Sequence, residues 1–101
     1  MTTETPVRAE LSRDAAAVLH CLPQMGSVML TARHGGATHE RIGPVESVGA
    51  EDGIVRCRGA AHDSRIDVAA VASVVVDRTG RMKDMVLPRL DFQNADGEVL
   101  F

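Results

Sequence analysis

The 101-residue chain has no tryptophan and no tyrosine, and its only aromatic residues are Phe92 and Phe101. Stacking platforms for unpaired bases and cages for quaternary amines need several such rings, so both are disfavoured. Basic charge is also scarce: 14 acidic residues face 11 lysines and arginines, for a formal charge of −3. A chain of that sign lacks the field that a phosphate backbone requires, and nucleic acid is not an expected partner. The two cysteines, Cys21 and Cys57, lie too far apart for a CxxC pair and have no histidine at zinc-finger spacing. No segment approaches the roughly 18 consecutive apolar residues of a membrane span, and Met1 to Glu10 has no apolar leader core. A soluble cytoplasmic protein with reduced thiols is therefore expected. No P-loop, nucleophile elbow, HExxH, EF-hand or dinucleotide fingerprint occurs, and His34-Gly35-Gly36 lacks the Lys-Ser/Thr of a phosphate loop.

What is present has the balance of an ordinary globular domain, with 45% hydrophobic and 25% charged residues. The length suits one domain. Residues 1–10 are polar and aperiodic and are expected to be a flexible arm, with a single α+β domain over 11–101. Leu11, Ala15, Val18, Leu19 and Leu22 follow a helical stripe, with Ser12 as the expected N-cap and Pro23 as the stop. His20 falls on the opposite side of that stripe and reads as solvated. From Ser27 the period becomes two. Ser27 to Ala32 and Ala37 to Ile42 flank Gly35-Gly36 and read as a hairpin, ended by Gly43-Pro44. Val45 to Val48 and Ile54 to Arg58, turned at Asp52-Gly53, read as a second. Val71 to Asp77 and Val86 to Phe92 are strands around a charged loop, Arg78 to Asp84, and Glu98 to Phe101 is a last strand after Asp96-Gly97. Pro88 places its strand at an edge or a bulge. The stretch Ala60 to Ala70 is left undecided between turns and a short helical segment. The expected fold is thus an antiparallel meander of about seven strands with one N-terminal helix on a face.

Four histidines stand out in a chain with few other special residues. A two-residue Gly35-Gly36 turn pairs His34 with Ala37 and Ala32 with His39, so Val28, Leu30, Ala32, His34, His39 and Arg41 share a face. That face, apolar at one end and basic at the other, suits a flat apolar anionic ligand whose carboxylates meet Arg41. The alternative is that His39 and Arg41 point at water or hold Glu40 and Glu46 in surface ion pairs. Met25, Met29, Met82 and Met85 read as fillers of core gaps rather than metal ligands.

The string LPQMGSVMLTARHGGATHERIGPVESV, from Leu22 to Val48, resembles the segment of haemin-transport and haem-degrading proteins of the HemS/ChuX type that reads approximately LGxVMxLTRNxxxVHExxGxYxxV. Ile66-Asp67 stands where that family has an Ile-Asp-Leu-Arg element. Pro88 to Phe92 followed by Asp96-Gly97-Glu98 is similar to its SLQFFDxxGxxxxK strand-turn-strand. The resemblance spans about Leu19 to Phe101 and implies an antiparallel sheet with helices beside it and haem bound in a cleft against the sheet. Two-repeat members carry two such units, and shorter members pair two chains. Arg33, His39, Glu40 and Gly43 match the family motif. Of these, the resemblance implies Arg33 and His39 as contacts to propionate or iron, whereas the hairpin pairing puts Arg33 on the face opposite His39. The helical segment that carries the axial histidine of two-repeat members has no counterpart here, and the aromatic pair before the last turn is reduced to Phe92.

The expected function is binding of haem or a related tetrapyrrole by a homodimer, with His39, Arg41, Arg33 and His34 at the site and His39 on the iron. One alternative is a structural or regulatory dimerisation domain that has lost the ligand. The other is a haem-degrading enzyme, which requires a proximal histidine and an O2-accessible pocket.

Overall fold

The computed structural model describes residues 7–82 and 84–101. Among them, Arg8–Ser12 (β1) and Ala15–His20 (α1) are followed by Ser27–His34 (β2), Ala37–Pro44 (β3), Ser47–Glu51 (β4), Ile54–Arg58 (β5) and Asp63–Asp67 (β6). Ser73–Met82 (β7) and Met85–Gln93 (β8) complete the set, with short 3-10 turns at Leu22–Gln24 and Val68–Ala70. The architecture is α+β and every strand pair is antiparallel.

The strands are eight rather than about seven, and they do not form one meander. They divide into a β1-β7-β8 sheet, a β2-β3 ribbon and a β4-β5-β6 sheet. The difference begins at the N-terminus. Arg8 to Glu10, expected within a loose arm, lie in β1 and pair with Asp77, Val76 and Val75; residues 1–6 lie outside the described residues. A pattern with little alternation still forms a strand here because Arg8 Nη1 donates to Asp77 Oδ2 and to Asp91 Oδ2, each at 2.7 Å. Arg89 adds bonds from Nε to Asp91 Oδ1 at 2.7 Å and from Nη2 to Asp77 Oδ2 at 3.2 Å. Two buried carboxylates shared between two guanidinium forks tie β1 to both strands of the β7–β8 hairpin.

Because β1 takes Leu11 and Ser12, the helix starts later than its stripe suggests. Asp14 is the N-cap and accepts from the Ala17 amide at 3.1 Å, while Ser12 Oγ accepts from the Asp14 amide. Leu11 is exposed rather than helical. Ala15, Val18 and Leu19 do bury, together with Val55, Cys57, Ile66, Val71, Val74 and Phe92, so α1 closes the seam between the two three-stranded sheets. Burial pushes the Cys57 thiol pKa up, and both cysteines are free. The undecided stretch contains β6, whose outward residues are polar and whose inward Ile66 pairs with Val55.

The β7–β8 hairpin extends through most of the expected charged loop, of which Lys83 lies outside the described residues. Pro88 sits on the outer strand opposite a register break between Asp77 and Gly80, so it is at once on an edge and at a bulge. The expected last strand is replaced by a single bridge, Gln93 to Val99. The chain there folds back instead through Leu100 N to Phe92 O and Phe92 N to Phe101 O, stacking the Phe92 and Phe101 rings at 4.5 Å.

Candidate functional site

The β2–β3 ribbon turns at Gly35 and Gly36, with φ of 57° and 84°, the backbone a two-residue I′ hairpin needs. Its register places Ala32 opposite His39, Leu30 opposite Arg41 and Val28 opposite Gly43. At its base Val28 packs against the core. There the ribbon meets the connection between β5 and β6, Gly59 to His62, and the two backbones nearly touch. A Cβ at Gly43 would lie 2.9 Å from the Ala61 Cβ, and one at Gly59 would collide with the Pro44 carbonyl, so only glycine permits this approach.

His62 joins the two segments. It is 5% exposed, and its Nε2 lies 2.9 Å from Gly43 O and 3.2 Å from Val28 O. Both partners are carbonyl acceptors, so Nε2 is the protonated nitrogen and donates to both strands of the ribbon. That nitrogen is committed and has no lone pair for a metal.

Between the ribbon and the 59–64 segment lies an open groove of about 350 Å³. Leu30, Ala32, Ala60 and Ala61 supply apolar walls, and His39 and Arg41 stand along the rim with exposed side chains. Of the site residues expected from sequence, the groove brings together His39 and Arg41. His34, beside the turn, is on their face but does not line the groove, and Arg33, opposite Thr38, is on the other face. Neither His39 nor Arg41 pairs with Glu40 or Glu46 among the described residues, and His20 is exposed, its Nδ1 bonded to Ala16 O at 2.7 Å. Sequence reasoning gave His62 no role. The three small residues before it, Gly59-Ala60-Ala61, are the signal of a close backbone approach that would have found it.

No cluster of three or more histidine, cysteine or acidic side chains able to hold a bare metal ion occurs among the described residues. A single rim imidazole beside a guanidinium over apolar residues is instead suited to a planar ligand that brings its own metal and its own carboxylates. Among the described side chains, the methionines do not fill the core as expected. Met25, Met29 and Met85 are exposed because they fall on turns and outward strand positions, and the side chain of Met82 lies outside the described residues.

Comparison with known proteins identifies the class of domain to which this fold belongs. The family described as the haemin-degrading HemS.ChuX domain matches residues 2–101, and the chain belongs to that family. Among solved structures, the chain is similar to apo-PhuS, a heme-binding protein from Pseudomonas aeruginosa, with a TM-score of 0.76 at 16% identity over 92% of this chain and 28% of that one. It is also similar to a protein from Agrobacterium tumefaciens, with a TM-score of 0.72 at 18% identity over 93% of this chain and 54% of that one. A protein from Erwinia carotovora gives 0.71 at 18% identity, over 93% and 58%. The chain therefore spans between about a quarter and somewhat over half of these proteins, and at such identities the likeness is one of fold. No curated protein sequence matches it.

Proposed function

We propose that this chain binds haem, or a closely related tetrapyrrole, as cargo in the groove between the β2–β3 ribbon and the 59–64 segment. The observation that carries the reading is the convergence of His39, Arg41 and the apolar pair Leu30 and Ala32 on one wall of one groove. In it the porphyrin edge lies on Leu30, Ala32 and Ala61, the His39 imidazole faces the iron, and Arg41 meets a propionate. Membership of the family and the heme-binding neighbour support this assignment. Arg33, on the far face, has no place in the same site.

A groove of about 350 Å³ is at the small end of ligand sites, which run from roughly 300 to 1,000 Å³. It seats part of a tetrapyrrole and leaves the rest for a second surface. The reading therefore includes a homodimer, whose second copy covers the ligand. The compartment is proposed to be the cytoplasm, and the activity to be binding without turnover.

Titration with haemin followed by visible absorption tests the reading. A Soret shift that saturates is expected. Arg41→Ala is expected to weaken binding by about tenfold or more, the loss of one charge-assisted contact worth roughly 1.5–3 kcal/mol. His39→Ala should move the Soret band itself, while His20→Ala leaves both unchanged. Unsaturable absorbance, or equal affinity in both site variants, sinks the assignment. Sedimentation equilibrium with and without haemin tests the dimer, and consumption of bound haem on adding a reductant would replace the binding reading by an enzymatic one.

A further inference from the structure

The outer face of the β4-β5-β6 sheet carries guanidinium groups that do not line the proposed haem groove. Gly49, Arg56 and Arg65 fall in one row across its three strands, with neighbouring strands about 4.8 Å apart. Arg56 and Arg65 are directly opposed, an arrangement of like charges that is unfavourable on a sheet surface. Asp63 answers one of them. Its Oδ1 accepts from Arg56 Nε at 3.0 Å and its Oδ2 from Arg56 Nη2 at 3.1 Å, a fork that fixes the guanidinium plane and leaves Nη1 uncommitted. Arg58 is opposite Asp63 in the next row. Arg58 and Arg65 have no ion-pair partner among the described residues, yet both act on Asp63. The Asp63 carboxyl is held below the ordinary range first by its bonds from Arg56 and further by the charges of Arg56, Arg58 and Arg65. Three guanidiniums thus act on one carboxylate, and the next acids on the face, Glu51 and Asp67, lie one row away, on either side of Ile54.

Beside them the sheet is open. A Cβ built on Gly49 meets nothing within 4 Å, and a shallow, open depression lies over the row, with Ile54 as an apolar wall. Glu51 and Asp52 stand at the far rim, two residues along the strands and roughly 7 Å from the arginine row. Their charge repels an extended polyanion, so the face fits one anionic group on a small body and not a nucleic acid or an anionic membrane. Of these residues Asp63 also lines the groove of His39 and Arg41, on its other side, whereas Arg56, Arg65, Gly49 and Ile54 do not.

We infer that this face is a second binding site, for a small molecule bearing one oxyanion group, with Arg65 and the Nη1 edge of Arg56 as donors and the body of the ligand over Gly49 toward Ile54. A phosphate monoester and a carboxylate share this chemistry, and the test separates them.

The experiment is amide NMR of the whole chain titrated with sodium phosphate, sodium acetate and sodium chloride at matched ionic strength. Saturable shifts centred on Gly49, Arg56 and Arg65 are expected with phosphate or acetate at dissociation constants on the order of millimolar; whichever anion binds more tightly identifies the ligand group. Arg65→Gln should weaken binding by about fivefold or more. Gly49→Val, at a position with an ordinary backbone conformation and open space around it, should crowd the row beside Arg56 and weaken binding while the remaining resonances stay in place. Chloride producing the same shifts would overturn the site. So would a response still linear at about 50 mM, or wild-type binding in both variants.

Discussion

The β7–β8 hairpin and the β2–β3 ribbon are both long antiparallel pairs, yet they are held in opposite ways. The first has a third strand, buries Val74, Val76 and Phe92, and is fastened by the carboxylates of Asp77 and Asp91 between Arg8 and Arg89. The second has no third strand, and Gly43 is the one buried residue of β3. Its attachment is at the base, through Val28 and His62. The residues proposed to meet the ligand, His39 and Arg41, are on the ribbon. The comparison teaches that, on the proposed function, stability and recognition are separated: the scaffold concentrates burial and charge pairing in one hairpin and leaves the other free to present side chains.

The contrast is sharpest where the core is cut. Leu19→Ala, at a residue 1% exposed, is expected to cost about 2–5 kcal/mol in urea denaturation, whereas Ile42→Ala on the ribbon's outer face should stay within about 0.5 kcal/mol. Comparable losses from the two would erase the distinction.

Acid is expected to act next, and on the scaffold first. The hydroxyl and amide of Thr79, followed by Arg8, hold the Asp77 carboxyl far below its ordinary range. Burial opposes ionisation of Asp91, and the bonds and charges of Arg89 and Arg8 outweigh it, so its carboxyl is also lowered. A depressed native pKa stabilises the fold fully above the unfolded-state value of about 3.9, and that stabilisation is lost as pH falls through the native value. Denaturation midpoints should therefore be flat with respect to these groups near neutrality and decline below about pH 4. Asp77→Asn should lower the plateau and reduce the slope; an unchanged acid limb would remove the network from the account.

A smaller effect should separate the ribbon from its base. His62→Leu leaves the Val28 and Gly43 carbonyls without their donor, at about 1–3 kcal/mol. Amide exchange is expected to rise in β2 and β3 more than in β7 and β8. His62→Gln, which keeps a donor at the same reach, should restore protection. The smallest expected change is His20→Ala, within about 0.5 kcal/mol and without effect on haemin binding, because that ring is exposed and bonds only to its own helix.

Local chemistry made much of this legible in advance. The ribbon's register is as the Gly35-Gly36 turn demands, because a two-residue turn and a period of two leave one pairing, and with it the shared face of His39 and Arg41. Pro88 lies at a bulge on an edge because it has no amide to offer a ladder. The start of the helix was not legible in the same way. Ser12, the expected N-cap, gives way to Asp14 because β1 claims Ser12 for pairing with Val74.

By itself the amino-acid order determined the strand-rich α+β character, the turns and which residues share a hairpin face, since these depend on neighbours a few positions apart. The tertiary structure alone decided that Arg8 to Ser12 is a strand, because its partners Asp77 and Asp91 are 69 and 83 positions away. It also decided the division into three sheets and the role of His62, which is 34 and 19 positions from the carbonyls it holds. A groove is a relation between two segments, and neither the ribbon nor the 59–64 connection contains it until the core, α1 and the Gly43–Ala61 contact bring them together.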